Sequence, residues 1–318
     1  MFGSRVNTDI DGMDIGNACS NNMDSPLHYL PRTFVDHLEV IRGIAPVSGG
    51  LETIGGTVVA RSRAAEFGDS ETFDYSGRLA GGGQSVDNGY SASGDFTAAN
   101  DRLRLRGAAS REAGSHRDFG DGTIRPTRYE RTAFDAGAAL RVGDGSLGVD
   151  YRRNDTTKAG TPALPMDDIY SDADFVRGAY DAVFGNVALD ANIYWNNVDH
   201  LMNNYSLRQA PAGRSRANLA AADTLGWRVG AAVPWAGAEL RFGTDGHLFD
   251  YESNISDPNN AAFFVRNFND VERHRYGIYV EWEHENLGPW NVELGLRWTH
   301  VAMDAGRVDA SATATAPP

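Results

Sequence analysis

Cysteine is nearly absent from this sequence: Cys19 is the single thiol in 318 residues. One thiol excludes an internal disulfide framework and a four-cysteine zinc site. Long apolar runs are missing too, and no stretch of about 18 residues is apolar enough to cross a membrane as a helix. Positive charge is in deficit, with 29 Lys and Arg against 43 Asp and Glu and a net charge of −14. That balance argues against a nucleic-acid partner, because phosphate binding needs a basic face. The opening MFGSRVNTDIDG has no basic-then-apolar order, so it does not read as a secretory signal. Taken alone, these absences describe a soluble cytoplasmic protein. The pattern of what is present argues otherwise.

Hydrophobic residues make up 41% and charged residues 23%, the balance of a folded chain. The 36 glycines favour strands joined by tight turns over long helices. From about residue 72 onward, apolar and polar residues alternate with period two. In VALDANIYW, Val187, Leu189, Ala191, Ile193 and Trp195 share one strand face, and Asp190, Asn192 and Tyr194 take the other. HRYGIYVEWEH sets Tyr276, Ile278, Val280 and Trp282 against Arg275, Tyr279, Glu281 and Glu283. WNVELGLRWTH repeats the pattern with Val292, Leu294, Leu296 and Trp298. About eleven such segments follow one another: 72–81, 88–98, 101–111, 131–142, 145–154, 174–184, 186–202, 222–233, 236–250, 271–284 and 289–302. No segment has a helical period of comparable strength.

The connections separate a soluble sheet from a membrane barrel. AAND, GDG, FGN, PWAG and NLGP are tight turns, and long polar links near 112–130, 155–173, 203–221 and 251–270 alternate with them. Short turns on one side and long loops on the other mark an outer-membrane barrel. Trp195, Trp227, Trp282, Trp290 and Trp298 fall near strand ends or in the apolar stripe, as an interfacial girdle requires. A soluble sandwich has no need to carry every long loop on the same side. The expected fold is therefore all-β, a partial transmembrane antiparallel barrel.

Residues 1–67 read differently, being rich in Gly and Asp with short apolar runs. The stretch His37-Leu38-Glu39-Val40-Ile41-Arg42-Gly43, followed by Ile54-Gly55-Gly56-Thr57-Val58-Val59, resembles the end of the plug domain of TonB-dependent outer-membrane receptors. Ile44 departs from the usual Pro, the usual Tyr-Gly pair is missing, and Ala60 stands where an aliphatic strand residue is common. The resemblance implies that 1–67 is the C-terminal part of a plug and 68–318 the N-terminal half of a barrel. A complete receptor of this type closes about 22 strands around its plug. The chain is thus expected to be an internal fragment, with unpartnered edges near 72–81 and 289–302. The same resemblance implies a bacterial outer-membrane location, contact with outer-membrane lipid, and energy coupling by the TonB-ExbB-ExbD complex through a plug segment outside this sequence.

Cys19 and Met23, in GNACSNNMDSP, are soft donors set among turn-forming residues. A thiol with a thioether selects soft ions, Cu(I) above all. If that segment were helical, the i, i+4 spacing would put both on one face. Counting by strand parity from Asp190 and Asn192, the inward face of the 186–202 strand reaches His200 and Met202, beyond the apolar band. Met166, in GTPALPMDD, lies in the preceding long link on the same side. GNACSNNMDSP, TPALPMDD and VDHLMNNYSLR are similar to the copper-importing branch of these receptors, which has Cys-xxx-Met in the plug and His-x-Met in the barrel. That resemblance implies Cys19, Met23, Met166, His200 and Met202 as a copper site, with copper as cargo. His28, His37 and His116 lack ligand-spaced companions and read as structural or surface groups. No acid–base pair, nucleophile or phosphate loop is apparent, so no enzymatic activity is expected. The other readings are a receptor for a siderophore or other metal chelate and, from another class, a passive porin or adhesin barrel.

Overall fold

The protein is seen here as a computed structural model describing residues 6–19, 24–43, 45–50, 55–64 and 66–307, with Asn286 described by its backbone alone. The first strands form a small sheet: β1 (Asn7–Ile10), β2 (Met13–Asp14), β3 (Val35–Ile41) and β4 (Thr57–Ser62), in the order β2-β1-β4-β3. Asp11 and Gly12 turn β1 into β2, both at positive φ, the chemistry of a two-residue hairpin. A 3₁₀ helix, Pro26–Tyr29, opens with its proline in the first turn. Gly56 lies at φ 99°, and a Cβ there would stand 2.3 Å from the carbonyl oxygen of Ile41, so only glycine brings β4 against β3.

The rest is one meander: β5 (Asp74–Gln84), β6 (Gly89–Ala99), β7 (Leu103–Gly114), the small hairpin β8 (Arg117–Phe119) and β9 (Gly122–Ile124), then β10 (Tyr129–Val142), β11 (Gly145–Ala159), β12 (Asp167–Phe184), β13 (Val187–Asn203), β14 (Ala217–Trp235), β15 (Ala238–Asp257), β16 (Asn260–Leu287) and β17 (Trp290–Asp304). All but the β8–β9 hairpin join an 11-stranded antiparallel sheet. That sheet is open, with β5 and β17 as its edges, as expected for part of a barrel. It is a single curved layer, which removes the soluble-sandwich alternative.

The two faces invert the usual arrangement of a soluble protein. Ile193, Ile278 and Leu296 point outward and are 56%, 56% and 73% exposed. The inward residues of β13, Tyr194, Asn196, Val198, His200 and Met202, are all buried. An exposed apolar face with a buried polar one is the signature of strands meeting lipid outside. The N-terminal sheet covers the inner face. Ile10, Met13, Tyr29 and Phe34 pack with Phe175, Tyr194, Val198 and Tyr251 of the wall. Each fully buried side chain of this size contributes roughly 1.5–3 kcal/mol. Polar contacts flank that cluster: Arg152 donates to Asp11 at 2.9 Å, Arg275 to Asp14 at 2.8 Å, and Ser48 to Glu281 at 3.1 Å.

The tight turns expected from the sequence fall at one end, with Gly143, Gly185, Gly237 and Gly288 at positive φ. The other end differs from the sequence expectation. The link expected at 155–173 contracts to 160–166, and the one expected at 251–270 becomes a turn at 258–259 between the long β15 and β16. Crossing a bilayer takes about 9–11 residues per strand, and β12 and β13 have 18 and 17. Hydrogen-bonded pairing thus continues past the apolar band, where the alternation of side chains has stopped. The links at 115–128 and 204–216 remain long.

Candidate functional site

The extended ends of β12 and β13 carry two of the expected ligands, His200 and Met202, and Met166 precedes them. These strands pair in antiparallel register, with Ser171 opposite His200 and Asp168 opposite Met202. Three residues of β12 span the two-residue step of β13, so Ile169 is the extra residue of a bulge between Asp168 and Tyr170. A regular strand would turn Asp168 and Ser171 to opposite faces. The bulge turns both inward, and the Asp168 carboxylate reaches 3.6 Å from His200 Nε2.

The N-terminal segment meets this wall. Cys19 is a buried thiol, its backbone N–H donating to Asn17 Oδ1 at 2.7 Å. Gly16, three residues earlier, lies so close to the wall that a Cβ would stand 2.4 Å from Thr224 Oγ1. Cys19 also hydrogen-bonds Asp24 through both its backbone and its thiol. Asp24 in turn accepts from the Tyr29 hydroxyl. Burial pushes the Asp24 carboxyl up to about 6, against those hydrogen bonds from Tyr29 and Cys19. Tyr29 is held well above its ordinary value by burial and by the neighbouring Asp24 and Asp168 carboxylates. Asn154 of β11 donates to the Tyr29 carbonyl at 2.7 Å and anchors this turn. Hydrogen bonds therefore run from Cys19 through Asp24 to Tyr29 and on to Ser171, which stands opposite His200 across the ladder, with Asp168 beside that imidazole.

Sequence reasoning missed four members of this cluster. Asp24, Tyr29 and Asp168 carry no local spacing signal, and His28 was assigned to the structural histidines. His28 Nε2 lies 3.1 Å from Thr156 Oγ1, and its ring meets Tyr29 edge-on at 5.5 Å. Burial, Arg131 and His200 lower its imidazole to about 4, so it is neutral at physiological pH. Met166 is half-buried in the link before β12, its carbonyl accepting from Thr161 at 2.6 Å. Met23 lies outside the described residues.

Among the described residues, no three His, Cys, Asp or Glu side chains are arranged as a ready cage for a metal ion. The buried Cys19 thiol lies on the N-terminal segment, and the His200 imidazole and Met202 thioether lie on the inner face of β13.

An open antiparallel meander wrapped around an N-terminal sheet, apolar outside and polar within, is the architecture of TonB-dependent outer-membrane receptors. No family model and no curated protein matches the sequence. Among solved structures, the copper transporter OprC superposes with a TM-score of 0.84 at 23% identity, covering 96% of this chain and 50% of that one. The FrpB iron transporter from Neisseria meningitidis gives 0.69 at 14% identity, covering 95% and 52%. A mutant of the ferric enterobactin receptor PfeA from Pseudomonas aeruginosa gives 0.66 at 14% identity, covering 95% and 51%. The chain spans about half the length of each of these structures.

Proposed function

We propose that this chain is part of a TonB-dependent importer that carries copper across the bacterial outer membrane. Residues 1–67 are then the C-terminal part of the plug, and 68–318 the first half of the barrel. Transport of metals or metal chelates is the role of the receptors whose fold it shares. The observation that favours copper is the buried Cys19 thiol, hydrogen-bonded to Asp24, whose charge acts on Asp168 beside His200 and opposite Met202.

In this reading the long-loop end faces outward, and Cys19, Met23, Met166, His200 and Met202 supply the ligands. Cys19 binds Cu(I) as thiolate, and the metal itself favours loss of the thiol proton. Until copper arrives, the thiol hydrogen-bonds Asp24, which keeps the buried sulfur satisfied. Release follows when TonB-ExbB-ExbD draws on the plug and parts Cys19 and Met23 from the wall. The residues perform binding and positioning, with no bond-making step.

The test is metal analysis of the intact receptor. Stoichiometric copper in the wild type, lost in Cys19→Ala, is the expected result. Equal copper in both forms would remove the assignment and leave a chelate receptor, in which the sulfur residues are incidental.

A further inference from the structure

We propose that Arg208 is a positioning residue for the copper site: it locks the link that carries Met166 beside the strand that carries His200 and Met202. The inference rests on the copper reading, with Met166 among the ligands, and deepens it, since Arg208 itself offers no donor to a metal.

Arg208 belongs to the long link 204–216 after β13, and its guanidinium reaches into the link 160–166 before β12. Nε donates to Asp167 Oδ2 at 2.7 Å and Nη1 to the Leu164 carbonyl at 2.7 Å. Nη2 donates to the Thr161 carbonyl at 2.9 Å and to Asp167 Oδ1. Asp167 is fully buried, and its Oδ1 also accepts from the Thr161 N–H at 2.8 Å. A buried carboxylate is costly unless paired, so the link keeps this shape only with the guanidinium in place. The Thr161 hydroxyl then donates to the Met166 carbonyl at 2.6 Å, and the Leu164 N–H to the Thr161 carbonyl at 2.9 Å. Pro162 and Pro165 stiffen the same short link. The backbone of Met166 is thus held at both ends of its link.

The same contacts set Met166 against Met202. Asp167 and Asn203 form the last rung of the β12–β13 ladder. Met166 precedes Asp167 and Met202 precedes Asn203, so the two methionines flank one rung. Asn203 Oδ1 accepts from the backbone N–H groups of Tyr205 and Ser206 at 3.1 and 2.8 Å, which turns the chain toward Arg208. The guanidinium closes this ring from the end of β13 back to Met166. Its planar fork spans both carboxylate oxygens and two carbonyls, which a lysine ammonium does not. Arg216, at the far end of link 204–216, makes a separate attachment to the β15–β16 hairpin. It donates to Asp257 at 2.7 Å and lies 3.9 Å from the Phe263 ring centre.

Competition of the intact receptor with a Cu(I) chelator, together with copper X-ray absorption, tests the proposal. Arg208→Gln is expected to weaken copper binding about tenfold and to lower the sulfur count around the metal by one, with Arg208→Lys in between. On a Met166→Leu background, Arg208→Gln is expected to add nothing, because the residue it positions no longer ligates. Arg216→Gln, which loosens the other end of the link, is expected to bind copper as wild type does. Hydrogen exchange of the metal-free receptor reads the lock without copper: the Thr161 and Leu164 amides should exchange faster in Arg208→Gln. Undiminished affinity in Arg208→Gln, a full further loss on the Met166→Leu background, an equal loss in Arg216→Gln, or unchanged amide exchange overturns the proposal and leaves the copper reading standing. A wild type that binds no copper removes both.

Discussion

Asp168 stands directly opposite Met202 across the β12–β13 ladder, its carboxylate 3.6 Å from the ring of His200 two residues before that methionine. The thioether, the imidazole and the acid thus share one inward face at the end of the barrel wall that carries the longest links.

The thioether can be tested without disturbing packing. Met202 is buried, and Met202→Leu keeps nearly the same volume, at a cost below about 1.5 kcal/mol. Stability should be almost unchanged while copper affinity drops by about tenfold, because leucine offers no donor. Competition with a Cu(I) chelator reads the affinity, and a thermal melt of the same sample reads the fold.

The docking of the N-terminal sheet should depend on pH through Asp11. Burial alone raises this carboxyl, but the Arg152 guanidinium and hydrogen bonds from Ser62 outweigh it and hold it below 3.8. A depressed carboxylate contributes stability that is present above its unfolded value and lost as pH falls through its folded one. Asp11's share of the protection of the N-terminal segment from protease, read as the difference from Asp11→Asn, should therefore be constant at neutral pH and be lost below about pH 3.8. Asp11→Asn should weaken docking by about 1–3 kcal/mol at pH 7 and flatten that acid dependence.

Gly56 should resist substitution. At φ 99°, and with the Ile41 carbonyl 2.3 Å from any added Cβ, Gly56→Ala must move backbone. The strained conformation alone costs of order 1–3 kcal/mol. Limited trypsin digestion of the receptor should cut the N-terminal segment faster in the variant, with the barrel left resistant.

The outward face should reject charge. Ile278 lies in the middle of the exposed apolar stripe of β16, between Tyr276 and Val280. Ile278→Arg should lower the stability of the intact receptor in lipid vesicles by about 2–4 kcal/mol, as measured by urea unfolding. A loss near zero would mean that this face does not meet lipid.

The strand order was readable because an exposed apolar face and a covered inner face impose a strict period of two. Ile193, Trp195 and Ile278 kept that rhythm, and each lies outward as expected. Past the apolar band the rhythm has no cause, although backbone pairing continues. Segments 155–159 and 260–270 therefore read as loop and fold as strand. The parity count along β13 placed His200 and Met202 on the inner face. No count could reach Asp24, Tyr29 or His28, whose partners Asp168, Ser171 and Thr156 lie more than a hundred residues away. Asp168 was further hidden by the bulge, since simple alternation from Ser171 sends it outward.

That bulge leaves the strand with two possible alignments. With Ile169 looped out, an acid sits beside the thioether. If the ladder slid by one residue and ran straight, Ile169 would take that place and Asp168 would turn to the outer surface. The choice between an acid and an apolar side chain beside the thioether thus rests on a single spare residue. Deleting Ile169 would make the first arrangement permanent.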